Sequence, residues 1–164
     1  MTDLTNTYNI QANTPEFDGI RLRITDPDMM RGVKDALEIM REKAPQHYEF
    51  MKHYIKEINQ APVSGMHVES GVFDLGKAPA ERPVWIASII YHDSIHGYQY
   101  QSNQPYSGAE AEAFANQKQL EFLEQVRANP SYLDHMKRII AEGDHSDLNK
   151  DGVYDMKDYN MRTW

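Results

Sequence analysis

Trp85 to Gln101, WIASIIYHDSIHGYQYQ, reads as one helix with two histidines four residues apart. At about 100° per residue, His92 and His96 lie about 40° apart on the helix surface, one turn from each other. Both imidazoles therefore leave the same face and can grip one metal ion. Trp85 and Ile89 precede them on that face, so the pair continues an apolar stripe expected to be buried. A solitary histidine on such a face is ordinarily a satisfied core residue. Two at this spacing, with Asp93 directly after the first, point to a metal site.

Upstream, the loop holding Pro79 and Pro83 leads into this helix. Val63 to Gly76 carries short apolar runs, Met66 and Val68, then Val72, Phe73 and Leu75. Glu69-Ser70-Gly71 separates the runs, which predicts a hairpin or two short strands. Earlier still, Pro45 opens a helix with Tyr48, Met51, Ile55 and Ile58 on its inner face, expected to end at Pro62. Another begins at Thr25-Asp26-Pro27-Asp28, a cap followed by proline at the first helical position, with Met29, Val33, Ala36, Leu37 and Met40 inward. Ile20, Leu22 and Ile24 alternate with Arg21 and Arg23, the period of a half-buried strand. Residues 1–16 are polar and read as a flexible arm.

Downstream, Ser102-Asn103-Gln104-Pro105 breaks the helix. Ser107 with Glu110 three later reads as a capping box for a helix running to about Ala128. Asn129-Pro130 starts a last helix, with Leu133, Met136, Ile139 and Ile140 inward and Gly143 after its end.

At 164 residues the chain suits a single domain with its own core. Its formal net charge of −8 argues against a nucleic-acid partner. No run approaches the roughly 18 apolar residues of a membrane span. The stretch MTDLTNTYNIQANTPEF lacks the basic start and apolar block of a signal peptide, so the cytoplasm is the default expectation. Cysteine is absent, which excludes disulfides and thiolate metal sites. Oligomeric state is not legible here.

Two histidines do not complete a zinc site; a third ligand is needed, with one position left open for chemistry. The following helix offers Glu110 and Glu112. Ala115, Gln119, Phe122, Leu123 and Val126 all fall within about 80° of Glu112, which places it on the inward stripe. Glu110 falls about 160° away, beside Gln117, Glu121 and Glu124, and faces solvent. Asn116, one turn after Glu112, is placed to orient a ligating histidine.

His92-Asp93-x-x-His96 followed by Glu112-x-x-Ala115-Asn116 resembles the gluzincin arrangement of zinc metallopeptidases. There a His-Glu-x-x-His helix is followed by a glutamate ligand on the next helix, with a small and a polar residue behind it. The resemblance spans roughly 17–126 and implies zinc on His92, His96 and Glu112. Asp93 stands where that family has the glutamate base, shorter by one methylene, about 1.5 Å. Proton transfer needs heavy atoms about 2.6–3.2 Å apart or one bridging water, so metal binding carries over more directly than hydrolysis.

The tail supplies a second metal motif. Asp147 to Asp158 fits a twelve-position calcium loop, with side-chain oxygens from Asp147, Asn149, Asp151, Asp155 and Asp158 and a carbonyl from Val153. Gly152 sits at the sharp turn. The loop resembles those of EF-hands and dockerins, with aspartate at position 12 as dockerin-type loops commonly have. A single loop implies a structural clip rather than a sensor.

The expected fold is α+β and mainly helical: two N-terminal helices, a small antiparallel or mixed sheet, a metal-binding helix paired with a glutamate helix, and a calcium-clipped tail. The expected function is zinc-dependent hydrolysis of a peptide or small amide. Zinc would polarise the carbonyl and acidify its water, and Asp93 would take the proton. The peptide is expected along the hairpin edge between Met66 and Leu75 by strand addition. Tyr91, Tyr98, His67 and His135 are candidate oxyanion donors. A non-hydrolytic metalloenzyme and a catalytically silent metal-binding protein are the alternatives, the first because the same ligands suit iron.

Overall fold

The computed structural model describes residues 14–77, 80–143 and Lys150. Among these, five helices pack on one face of a five-stranded mixed sheet, an α+β fold. The chain enters through a tight hairpin of β1 (Glu16–Phe17) and β2 (Ile20–Arg23). Asp18 and Gly19 turn it with φ of 48° and 85°, the two-residue left-handed geometry that Asp-Gly favours. The Tyr48 hydroxyl donates to Asp18 Oδ2 at 3.0 Å, and Lys52 Nζ reaches the same oxygen at 2.7 Å. The hairpin is thereby tied to the helix that follows. Glu16, expected at the end of the N-terminal arm, belongs to β1 instead.

Helix α1 (Pro27–Lys43) starts where the sequence put it, with Asp26 Oδ1 accepting from the backbone N–H groups of Asp28 and Met29. Helix α2 (Pro45–Tyr54) is shorter than its periodicity suggested. Instead of continuing to Pro62, the backbone extends at Ile55, and Glu57–Gln60 becomes β3. Ile55 and Ile58 are buried in either conformation, so their spacing could not reveal the change. What decides it is the ladder: β3 is the middle of three parallel strands and pairs with β2 on one side and β5 on the other. Without it the two halves of the sheet would leave buried N–H and C=O groups unpaired.

Strands β4 (Gly65–His67) and β5 (Val72–Leu75) form the expected hairpin, with Val68 in the turn rather than in a strand. The order is β1-β2-β3-β5-β4, antiparallel at both ends and parallel in the centre. Leu22, Ile58, Phe73 and Met66 are in register across the sheet and pack against the helices. The opposite face is polar: Arg21 and Arg23 both reach Glu57 at 2.9 Å, and His67 meets Asp74 at 2.8 Å.

Helix α3 (Pro83–Gln101) runs through the middle of the helical layer, against α1, α2 and β4, and against α4 (Ala109–Gln125). Every residue from Trp85 to Gly97 is buried, so the helix is enclosed on all sides and not along one stripe alone. Helix α4 starts after Gly108, whose φ is 85°, and no side chain caps it. The Ser107–Glu110 capping box therefore does not form. Gly108 supplies an entry angle that a serine would adopt only with strain. Helix α5 (Pro130–Glu142) begins with Asn129 accepting from Ser131 N–H and ends at Gly143 in the left-handed region.

Candidate metal centre

The α3–α4 hairpin builds the site. Gln99, late in α3, meets Ala111 at the start of α4, whereas Ser88, early in α3, meets Gln119 further along α4. The two helices are therefore antiparallel, and a polar seam runs between them inside an otherwise apolar layer. Ser88, His92, His96 and Gln99 come from α3, and Glu112, Asn116 and Gln119 from α4; all are buried. Gln119 Nε2 donates to Ser88 Oγ at 3.0 Å, which in turn donates to the Trp85 carbonyl at 2.7 Å.

At the centre of the seam, His92, His96 and Glu112 come together. The two Nε2 atoms are 3.3 Å apart; Glu112 Oε2 is 3.3 Å from His92 Nε2, and Oε1 is 3.5 Å from His96 Nε2. Tetrahedral zinc with ligands at about 2.0–2.1 Å requires ligand separations of about 3.3–3.4 Å. The two histidine nitrogens have that separation, and each lies 3.3 or 3.5 Å from a different oxygen of the Glu112 carboxylate. His92, His96 and Glu112 are 8, 7 and 4 % exposed, so the cluster is almost closed to solvent. Two imidazole nitrogens and a carboxylate converging at this separation could hold a divalent cation, and the residues fit one.

Gln99 completes the arrangement, with Oε1 2.9 Å from His96 Nδ1. Asn116, expected to orient a ligating histidine, is buried, but Gln99 is the residue bonded to the His96 ring. Gln99 was legible: it lies seven residues from His92, within about 20° of it on the helix. His92 Nδ1, by contrast, is buried with no hydrogen-bond partner among the described residues. The His96 pKa is lowered by its burial and by neighbouring His92, against the opposing pull of Glu112, Asp93 and the Gln99 hydrogen bond. The lowered value favours the neutral imidazole that a metal needs.

Glu110 is exposed and takes no part, as its helix angle required. Asp93 is buried beside the histidines, close enough for its charge to act on His96. Its side of α3 is the side of Gly97, about 40° further round. A Cβ on Gly97 would lie 3.0 Å from Tyr54 Cβ and 3.4 Å from Met66 Cε. Glycine here lets α2 and the edge strand β4 close on the helix one residue after His96.

Ring packing and polar pairing hold the four candidate oxyanion donors. Tyr91 packs against His47, Phe50 and Phe122, with its pKa pushed up to about 12 by burial. Tyr98 lies against Phe50 and Tyr54. His67 pairs with Asp74 on the polar sheet face, and His135 contacts Trp85 and Arg138. The six residues expected to hold calcium, Asp147, Asn149, Asp151, Val153, Asp155 and Asp158, lie outside the described residues.

No protein-family model, curated protein or solved structure matches the chain. The chemistry is therefore argued from the site alone. No helix among the described residues is long and apolar enough to cross a membrane.

Proposed function

We propose that this protein is a zinc-dependent hydrolase of metallopeptidase type, with His92, His96 and Glu112 as ligands and Asp93 as the base. The observation that carries the reading is the convergence of His92, His96 and Glu112 between two antiparallel helices, with nitrogens and carboxylate oxygens 3.3–3.5 Å apart and a buried carboxylate beside them. Bound zinc would supply Lewis acidity, polarising a carbonyl and acidifying water. The chain's own contribution is to hold the two imidazoles in place, to exclude bulk water and to offer Asp93 as proton acceptor. A substrate peptide is best accommodated along β4. Leu75 cannot be part of an open edge, because β5 is paired on both sides; among the described residues β4 is an edge strand of the sheet, and it packs against α3 at Gly97. The gluzincin likeness belongs to this proposal, as does calcium at Asp147–Asp158, which rests on the loop spacing alone.

One observation favours a second reading. Asp93 is short and the donors are nearly closed to solvent, as suits a metal used for other chemistry or for structure. Peptide cleavage with added zinc separates the two. Asp93→Asn should keep the metal and lower turnover by about 10²–10⁴-fold, because shape is kept and the acceptor removed. Asp93→Glu should raise cleavage by restoring the missing methylene. Metal bound in every variant with no cleavage, even with glutamate, would sink the hydrolase.

A further inference from the structure

We infer that Gln99 is a positioning residue that fixes the proton of His96 on Nδ1 and so presets the Nε2 lone pair for a metal. The inference rests on the metal reading for its purpose, but its geometry stands independently. Gln99 is 2 % exposed, so its amide must find protein partners. On one side is the carbonyl oxygen of Ala111, 3.2 Å from Nε2. A carbonyl only accepts, so the NH2 group has to face it, and this decides the orientation of the whole amide. Oε1 is then the atom 2.9 Å from His96 Nδ1. An amide oxygen also only accepts, which leaves Nδ1 as the donor. A neutral imidazole carries one N–H. With His96 neutral, Nε2 is the nitrogen without the proton, and it is the atom that meets His92 Nε2 at 3.3 Å and Glu112 Oε1 at 3.5 Å.

The same amide acts on a second donor. Ala111 directly precedes Glu112, so the bond from Gln99 holds the first turn of α4 in register with the last turns of α3. One side chain sets the tautomer of one ligand and the approach of another. A hydrogen bond behind a ligand typically changes metal affinity by about 10–100-fold when removed.

Two substitutions separate this role from simple packing. Gln99→Glu and Gln99→Met are both close in size to glutamine, and both lose the donation to Ala111. Only glutamate keeps an acceptor for Nδ1–H. In the metal-free full chain labelled with 15N-histidine, long-range 1H–15N spectra report the tautomer of each ring. His96 should be the Nδ1–H form in the unsubstituted protein and in Gln99→Glu, and should move towards Nε2–H in Gln99→Met. Zinc Kd, measured by competition with a chelating dye, should weaken about 10–100-fold in Gln99→Met relative to Gln99→Glu. A proton on Nε2 in the unsubstituted protein overturns the inference without any variant. So does an unmoved tautomer in Gln99→Met, or a moved one with zinc Kd unchanged. If His96 is locked as Nδ1–H and the unsubstituted protein binds no zinc, the metal reading fails and the lock itself stands.

Discussion

Glu112→Gln, set against Glu110→Gln, is the sharpest perturbation of the proposed centre. Glutamine keeps the volume of glutamate and removes its charge. The two carboxylate oxygens of Glu112 lie 3.3 and 3.5 Å from the histidine nitrogens, whereas Glu110 is exposed. Zinc that binds only the folded state stabilises it by about 2.7 kcal/mol at a free concentration 100-fold above Kd. In a domain of this size each kcal/mol moves Tm by about 2–4 °C, so the rise is about 5–11 °C. Loss of a partner behind a ligand weakens a metal by up to about 100-fold, and loss of the ligand itself should cost at least as much. At the same free zinc, Kd then equals the concentration, the stabilisation drops to about 0.4 kcal/mol, and the Tm rise shrinks to about 1–2 °C. Glu110→Gln should retain the full rise. The assay is thermal unfolding of each protein with and without buffered zinc, with bound metal counted by equilibrium dialysis. The zinc-induced shift is compared rather than Tm itself, because removing a buried charge changes the metal-free protein too. Equal shifts in the two variants would refute the ligand assignment.

Calcium at Asp147–Asp158 gives a separate expectation: a calcium-selective chelator should lower Tm, and Asp147→Ala or Asp151→Ala should reproduce the loss and make it insensitive to chelator. An unchanged melting curve after demonstrated calcium removal would count against the clip. His47 predicts acid lability. Its ring lies against Tyr91 and Phe122 with Nδ1 buried and without a partner among the described residues, and burial lowers its pKa below the usual 6.5. The unfolded chain therefore binds the proton first. Stability is full above about pH 6.5 and falls as the pH drops towards the lowered folded value. His47→Phe should flatten that fall in urea titrations at about pH 7 and about pH 5; His96 and His135, shifted the same way, keep part of the slope. A slope identical to the unsubstituted protein would exclude His47 as a source.

Local geometry determined what the sequence could give alone. The four-residue step from His92 to His96 fixes a shared face wherever the helix is packed, and helical angles separated inward Glu112 from outward Glu110 without any knowledge of the partner. Asp26-Pro27, Asn129-Pro130 and Gly143 marked helix ends because capping depends on a few consecutive residues. Tertiary structure decided the rest. Ile55 and Ile58 satisfy a helix and a strand equally, and only the unpaired ladders of β2 and β5 make Glu57–Gln60 a strand. Ser107 had the pattern of a cap, but the turn between two antiparallel helices needed the left-handed backbone of Gly108. The distances among His92, His96 and Glu112, and the amide of Gln99 behind them, depend on how closely α3 and α4 approach. Side-chain spacing along either helix leaves that approach unspecified. It is set by the buried seam from Ser88–Gln119 to Gln99–Ala111, where a polar atom left unpaired costs more than a small shift of one helix along the other.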